Sequence, residues 1–328
     1  MPAQQQEHKF EFTGEGWEYF RIWIVNLLLS ILTLGIYSAW AKVRRLQYFY
    51  RNTRLAGAGF EYHGMPIAIL KGRIIAFVLL AAYTIAGRVN PLLGILFALL
   101  IAGVMPWLIV RSLRFKLYNS SYRGLRFGFA GSDGAAYAVF LLLPVLTVLT
   151  LYLLAPFTHY KIKQYQHNNS RFGDTFFRFD ATVGSFYKLY LKAFGMLLGA
   201  TLLVGVFSVL GLPLVIVLLP LWFLFIAAYL AVGLPNLIWS GTWLGEHDLY
   251  SRMAVGTYLK ISLTNLLAIV FTLGLFIPFA QIRMARYKLS CMGLLAQGDL
   301  AAFVAGQAQP DSATGEETAE MFDVDISL

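Results

Sequence analysis

Seven long apolar stretches constrain this chain most strongly, because roughly 20 consecutive apolar residues form a helix that can cross the hydrocarbon core of a membrane. The composition agrees, since 58% of the residues are hydrophobic and only 13% are charged, against about a quarter charged in a soluble domain. The sequence therefore predicts a polytopic membrane protein. The stretches are Ile22–Ala41, Ile74–Gly87, Pro91–Val110, Ala135–Phe157, Ala193–Gly211, Leu214–Gly233 and Ile261–Ala280.

An internal repeat organises these stretches. The segment FEFTG at Phe10–Gly14 returns as FGFAG at Phe127–Gly131, about 117 residues later, and gapless matches continue over more than 100 residues. TLGIY at Thr33–Tyr37 returns a second time as TLGLF at Thr272–Phe276. The sequence thus predicts two full copies and one partial copy. The predicted units are a polar N-terminus (1–9), membrane repeat 1 (10–126), membrane repeat 2 (127–243), partial repeat 3 (244–306) and an acidic disordered tail (307–328).

The three stretches of each repeat are labelled A, B and C, so the chain runs A-B-C, A-B-C, A. If every A segment leaves the membrane on the side where it entered, 25 of the 26 Lys and Arg residues lie on one side. Seven crossings would instead divide them 15 against 11, and cytoplasmic loops favour Lys and Arg. The A segments also contain Gly35, Pro144, Pro156, Gly274 and Pro278, which weaken helices. We therefore predict four full spans and three broken, re-entrant segments, with seven ordinary spans as the alternative.

Short aromatic segments flank the A segments. Residues Lys9–Phe12, Gly59–Tyr62, Leu125–Phe129 and Phe176–Phe179 alternate aromatic with charged or small residues, as half-buried strands do. Strands on either side of one A segment can pair only if both lie on the same side of the membrane. The predicted fold class is an all-α polytopic membrane protein with a small interfacial β-layer of short aromatic strands on its cytoplasmic side.

Catalytic and metal-binding patterns are absent from the sequence. Cys291 is the one cysteine, and no zinc-protease, serine-hydrolase or phosphate-loop motif occurs. Glu246, His247 and Asp248 form the one acid–histidine cluster, but three consecutive residues rarely converge on one ion, so a solvated turn is the favoured interpretation. We therefore expect no enzymatic activity, no metal and no cofactor.

Five polar residues of the A segments are candidates for a polar pathway through the membrane: Asn26, Thr33, Tyr37, Asn265 and Thr272. The two asparagines occupy equivalent positions in two copies. The structural alternative is that they form interhelical hydrogen bonds, worth about 1 kcal/mol each in a membrane. Both interpretations remain open at the level of the sequence.

Cations interleaved with tyrosines follow each A segment and are typical of a surface that faces anionic lipid headgroups. The net charge of +9 is therefore assigned to lipid contact, and no nucleic-acid partner is expected. The pairs Asn52-Thr53 and Asn169-Ser170 are predicted to cap the turn between each basic helix and the next strand. The headgroup-facing residues are predicted to be Lys42, Arg44, Arg45, Arg51, Arg54, Lys161, Lys163, Arg171, Arg283, Arg286 and Lys288.

The region Phe10–Gly64 resembles the signature region of the YjgN family of bacterial inner-membrane proteins, a domain-of-unknown-function family. TLGIYSAWAKVR at Thr33–Arg44, followed by NTRL at Asn52–Leu55, is the most specific part. The resemblance covers residues 10 to about 300 and implies a multi-pass protein of the cytoplasmic membrane. It implies no established activity, catalytic residue or cofactor.

Two functions agree with these features. The repeats, the broken segments and the paired asparagines favour a transporter, a channel or a lipid-handling protein. The basic, aromatic cytoplasmic face and the lack of ionisable residues within the apolar stretches favour a non-catalytic membrane scaffold or regulator. In both cases membrane lipid is the expected partner, and we expect the C-terminal tail to be cytoplasmic.

Overall fold

The structure is a computed structural model, and it describes residues 5–210 and 215–307. Side chains are described in the same ranges except at 215–217. The predicted polar N-terminus lies partly outside these ranges. The predicted acidic tail, apart from its first residue, lies outside them too.

Among the described residues, four long helices are apolar enough to cross a membrane, and they coincide with the predicted B and C segments. Their large side chains point outward: Leu99 is 64% exposed and Leu202 is 71% exposed. Helices that are apolar all round are typical of membrane spans. The four helices are α3 (Pro66–Val89), α4 (Pro91–Tyr118), α8 (Val183–Val209) and α9 (Val215–Trp239).

Each A segment forms a hairpin of two helices joined by an apolar turn. Leu34, Leu151 and Leu273 lie at the three tips with positive φ and are 95%, 85% and 95% exposed. Pro144 cannot donate to the carbonyl four residues before it, and a π-helical turn, Ala138–Leu142, lies at this place. The hairpin helices are α1 (Gly16–Leu32) with α2 (Ser38–Asn52), α5 (Asp133–Tyr137) and α6 (Leu143–Leu149) with α7 (Ala155–Asn168), and α10 (Val255–Phe271) with α11 (Ile277–Ser290).

In the part of the chain that the structure describes, ten antiparallel strands close into one barrel in chain order, with β1 pairing with both β2 and β10. The predicted all-α class with a small β-layer is therefore wrong. Closure satisfies the backbone groups that an open edge would leave unpaired. The strands are β1 (Gln5–Phe12), β2 (Thr53–Leu55), β3 (Ala58–Tyr62), β4 (Ser120–Tyr122), β5 (Leu125–Phe129), β6 (Ser170–Phe172), β7 (Thr175–Phe179), β8 (Thr242–Leu244), β9 (His247–Ser251) and β10 (Met292–Gln297).

The strands that enter and leave each helical hairpin are neighbours in the barrel. Phe12 of β1 pairs with Thr53 of β2, Phe129 of β5 pairs with Ser170 of β6, and β9 pairs with β10. Each hairpin therefore ends beside the strand from which it started. The alternative of seven ordinary spans does not fit this pairing, because a single crossing would separate the two strands by the thickness of the membrane.

Asparagine side chains close the helices where they run into the barrel. The side-chain amides of Asn52, Asn119 and Asn169 each donate to the backbone carbonyl four residues earlier, at 2.9, 2.9 and 2.7 Å. These bonds satisfy carbonyls that a helix C-terminus leaves without a partner. The predicted capping by Asn52 and Asn169 is therefore confirmed.

The barrel has two distinct ends. We call the end where α2, α4, α7, α9 and α11 run into strands the helix end. The turn end carries four two-residue turns, of which the first, Ala56-Gly57, has positive φ at both residues, as type I′ hairpins require. The short helix α12 (Leu300–Ala305) follows β10 at the turn end, and its Leu300 and Val304 belong to the apolar cluster inside the barrel.

Candidate functional site: the barrel cavity

An apolar cavity of about 380 Å³ occupies the inside of the barrel. This volume falls at the lower end of the range of roughly 300–1,000 Å³ that is typical of small-molecule sites. Residues of α2, α4, α9 and α11 line its helix end, and residues of α12 line its turn end. The lining residues are Phe10, Phe49, Tyr50, Thr53, Leu55, Phe60, Lys116, Leu117, Ser120, Tyr122, Phe127, Phe172, Phe177, Trp239, Leu244, Leu249, Leu289, Met292, Leu294, Leu300, Phe303 and Val304.

The hydroxyl groups of the lining are bonded to protein atoms. The Tyr122 hydroxyl donates to the Leu55 carbonyl at 2.7 Å. Ser120 Oγ lies 3.1 Å from the Tyr50 hydroxyl and 2.8 Å from the Lys116 carbonyl, to which it donates. Burial raises the pKa of both tyrosines, so both are neutral at physiological pH. The lining therefore presents mainly carbon, and Lys116 is its one charged residue.

Helix α12 closes the turn end of the cavity. The Phe303 ring meets the His247 imidazole edge to face, with centroids 4.4 Å apart. Beyond the helix, Gln307 Oε1 accepts from the backbone N–H of Asp174 at 3.2 Å and from the Thr175 hydroxyl at 3.0 Å. These contacts fasten the C-terminal end of α12 to the turn between β6 and β7.

The Glu246–Asp248 cluster lies at this same end. Glu246 is in the turn between β8 and β9, whereas His247 is buried and its Nδ1 accepts from the Gln297 backbone N–H at 3.1 Å. The solvated turn favoured from the sequence thus holds for Glu246 but not for His247. In the described parts of the chain, no group of three or more His, Cys, Asp or Glu is placed to hold a metal ion.

Polar side chains are buried on α7 near the helix end. Gln166 is 0% exposed, and neither of its amide atoms has a hydrogen-bond partner among the described residues. Lys163, one helical turn earlier, is 8% exposed. Burial, and secondarily the charge of Lys116, lowers the pKa of Lys163 to about 8. Lys163 was grouped from the sequence with the headgroup-facing cations, but its side chain faces the interior.

The five candidate pathway residues lie in the helical hairpins and do not line the barrel cavity. Asn26 and Asn265 are each 6% exposed. Asn265 accepts from Arg283 Nη1 at 2.7 Å, whereas the side-chain oxygen of Asn26 has no partner within the described ranges. A pathway through these residues stays a prediction.

The threonines among these candidates have a local role at the hairpin tips. Thr33 Oγ1 donates to the Leu29 carbonyl at 2.7 Å and accepts from the Tyr37 N–H at 2.9 Å. Thr272 repeats this arrangement in the third hairpin, with the Ala268 carbonyl at 2.7 Å and the Phe276 N–H at 3.0 Å. Each hydroxyl therefore bridges the last turn of one helix to the start of the next.

The basic residues that follow the hairpin tips contact aromatic rings and polar groups. Arg44 lies over the Tyr37 ring at 5.8 Å, and Arg283 lies over Phe276 at 6.0 Å. Arg44 and Arg51 also line a polar groove of about 540 Å³ between α1 and α2, together with Arg21. This groove is open and charged, in contrast to the apolar barrel cavity.

Four span-length apolar helices, with three helical hairpins returning to a closed barrel, define a helical membrane protein. The chain belongs to a bacterial protein family described as "Bacterial protein of unknown function (DUF898)", whose profile matches residues 7–321. The resemblance to the YjgN family is confirmed: the chain is 36% identical over 149 residues to "Inner membrane protein YjgN" of Salmonella typhimurium and 32% identical over 144 residues to that of Escherichia coli.

These matches cover 45% and 43% of this chain but only 38% and 36% of the two relatives. The chain thus matches less than two fifths of the length of either relative. No solved structure matches the chain significantly.

Proposed function

We propose that this protein is a non-enzymatic lipid-handling protein of the bacterial inner membrane, which binds one apolar chain in its barrel cavity. The observation that carries the proposal is the cavity of about 380 Å³, lined mainly by aromatic and aliphatic carbon. Apolar pockets with a few polar groups are the usual form of small-molecule sites. An apolar lining, closed at the turn end by α12, suits binding of a lipid chain better than conduction of a polar solute.

The proposed topology has four full crossings by α3, α4, α8 and α9, with the barrel and the C-terminal tail on the cytoplasmic side. The three hairpins enter the cytoplasmic leaflet and return, with their exposed leucine tips in the hydrocarbon. The positive-inside rule supports this orientation, because 25 of the 26 Lys and Arg residues then lie on one side. Anionic headgroups are the partners of the basic residues near the hairpins.

This topology predicts the accessibility of single cysteines introduced at Glu61, Asp174, Glu246 or Val89 into a Cys291→Ser background. The first three positions are on the barrel and are expected to be protected from an impermeant thiol reagent in intact cells. Val89, 74% exposed at the end of α3 that faces away from the barrel, is expected to react. Lysed cells provide the control, since all four sites should then react. Labelling of a barrel site in intact cells would contradict the topology.

The proposed binding of an apolar chain predicts that the purified protein binds oleyl alcohol, a neutral long-chain probe, in nonionic detergent. Val304→Phe adds volume to the lining from α12 and is expected to weaken this binding about tenfold, as a chain loses about two CH2 contacts at roughly 0.8 kcal/mol each. The measurement is equilibrium binding of the radiolabelled probe.

Ala302→Phe is the matched control, because Ala302 is on the same helix but is exposed and outside the cavity lining. It should bind the probe as the wild type does. Equal affinities for the two phenylalanine variants, or no binding to the wild type, would reject the cavity as the apolar site.

A further inference from the structure

Gln166 is the most unusual buried group near the barrel. Its side chain is 0% exposed, and its amide nitrogen and oxygen both lack a hydrogen-bond partner among the described residues. The amide has two donors and two acceptor positions, and buried polar groups of native proteins are nearly always hydrogen-bonded. The side chain is therefore suited to bind a polar group from outside the protein chain.

Gln166 lies on α7 near the helix end of the cavity, although neither Gln166 nor Lys163 is among the residues that line it. In the repeat, the offset of about 117 residues that relates Phe10 to Phe127 places Gln166 on the position of Phe49, and Phe49 lines the cavity at that end. Tyr165 and His167, on either side of Gln166, are buried against different elements. Tyr165 packs in the cluster of α4 with Phe129, and His167 packs against Trp239 of α9. Gln166 thus lies between α4 and α9, whose C-terminal ends both line the cavity.

Two cations belong to the same region. Lys116 lines the cavity, and Lys163 is buried one turn before Gln166 on α7. Burial lowers the pKa of Lys163, and the positive charge of Lys116 lowers it further. An anion bound between them would reduce this repulsion and gain charge-assisted hydrogen bonds. Lys116 thus gives the helix end of the cavity a cation, with Lys163 and the amide of Gln166 buried close by, whereas the rest of the lining is mainly apolar.

We propose that the cavity takes a single-chain lipid with an anionic headgroup, a carboxylate or a phosphate monoester, held by Lys116, Lys163 and Gln166. This proposal rests on the proposed function, in which the apolar chain occupies the barrel. One chain is proposed because the cavity is at the small end of ligand sites. The amide of Gln166 donates to a headgroup oxygen, and the lysines supply the positive charge.

The test compares three oleoyl probes that share one chain: oleate, oleoyl lysophosphatidate and the neutral oleyl alcohol. Binding to the purified full-length protein is measured near neutral pH in nonionic detergent. We expect the wild type to bind at least one anionic probe roughly tenfold or more tightly than oleyl alcohol. Preference for oleate identifies a carboxylate, and preference for the lysophosphatidate identifies a phosphate. Equal affinity for all three probes overturns the proposal while leaving the proposed apolar binding intact.

Variants then assign the headgroup site. Gln166→Leu and Lys163→Met are each expected to remove most of the preference for the anionic probe, with little change for oleyl alcohol. Lys163→Arg should retain the preference because it retains the charge. Gln164→Leu is the matched control, since Gln164 is on the same helix but bonds to Lys161 and Tyr160. An unchanged preference in both Gln166→Leu and Lys163→Met would overturn the assignment. If the wild type does not bind oleyl alcohol at all, the proposed function itself is rejected.

Discussion

Replacing Gly131 with alanine is expected to lower the free energy of unfolding by about 1–3 kcal/mol, the usual cost of overpacking a core. A Cβ at Gly131 would lie 2.5 Å from Phe129 Cε1 and 2.5 Å from the Tyr165 hydroxyl oxygen. Neither group has room to move freely, because both belong to one buried cluster and Tyr165 donates to the Ser132 carbonyl at 2.9 Å. The measurement is thermal or denaturant unfolding of the purified protein in detergent.

Gly134→Ala is the control for this prediction, because no atom lies within 4 Å of a Cβ at that position in the first turn of α5. It is expected to be neutral or to stabilise by about 0.5–1 kcal/mol, as alanine favours helices over glycine. Removing the hydroxyl with Tyr165→Phe should recover part of the loss caused by Gly131→Ala. Equal stabilities of the two glycine variants would show that the aromatic packing tolerates a methyl group.

The same arrangement, a ring folded over a glycine two residues later, recurs at the ends of other strands. A Cβ at Gly14 would lie 2.7 Å from the Phe12 ring, and the Tyr62 ring covers Gly64 in the same way. The recurring segments FEFTG (Phe10–Gly14) and FGFAG (Phe127–Gly131) each contain one of these ring and glycine pairs, and their recurrence indicates the repeat. The sequence does not explain why glycine is required at these positions. The structure does, because the chain turns back at the end of the strand and brings the ring against the glycine, where a side chain would clash.

The strands that could be predicted are those with local alternation. β1, β3, β5 and β7 are at least five residues long, and their aromatic residues recur at every second position. Phe176 of β7 breaks the simple pattern, because it is aromatic but lies on the exposed face. β2, β4, β6 and β8 have three residues each, too few to show a period, and β10 (MGLLAQ) does not alternate. Closure depends on the pairing of β1 with β10, in which Gln5 lies opposite Gln297. No local sequence pattern can indicate a pairing between residues this far apart in the chain. A small β-layer was therefore the most that alternation could indicate.

The cavity could not be predicted, because its lining comes from residues between 10 and 304 that share no local spacing. Lys163 illustrates the difficulty. Its neighbours include Lys161 and four tyrosines or histidines, so local composition predicts an interfacial cation. A helical count would have given one signal, since Lys163 and Gln166 lie at i and i+3 on one face of α7, and both are buried. Residues on that face point into the protein, and burial there lowers the pKa of Lys163 and leaves the amide of Gln166 out of contact with water.

The protein is expected to lose stability as the pH falls below about 6.5, because burial lowers the pKa of several histidines, among them that of His159 to about 4 and that of His167 further. His167 is the more deeply buried of these two. Burial, and secondarily the charge of Lys163, lowers the pKa of His167 to about 3. The imidazole Nδ1 lies 3.2 Å from the Thr242 hydroxyl, and the ring packs against Phe179 and Trp239. The pKa of His167 is about 3 in the folded protein and about 6.5 in the unfolded chain. Between these values the unfolded chain binds a proton that the folded protein does not, so the stability that His167 contributes is complete above pH 6.5 and is lost progressively below it.

At pH 5 this loss amounts to about 2 kcal/mol, since each pH unit below 6.5 contributes about 1.4 kcal/mol until the folded pKa is reached. His167→Gln is therefore expected to flatten the dependence of the unfolding free energy on pH between 7 and 5, even if it lowers stability at pH 7 through lost packing. His159→Gln removes another histidine whose pKa is lowered by burial and should flatten the same dependence, and the double variant should flatten it further. Identical slopes in the wild type and His167→Gln would mean that His167 gains its proton without unfolding. In that case water reaches the helix end of the barrel at low pH, and the buried amide and lysine beside His167 would be hydrated there as well.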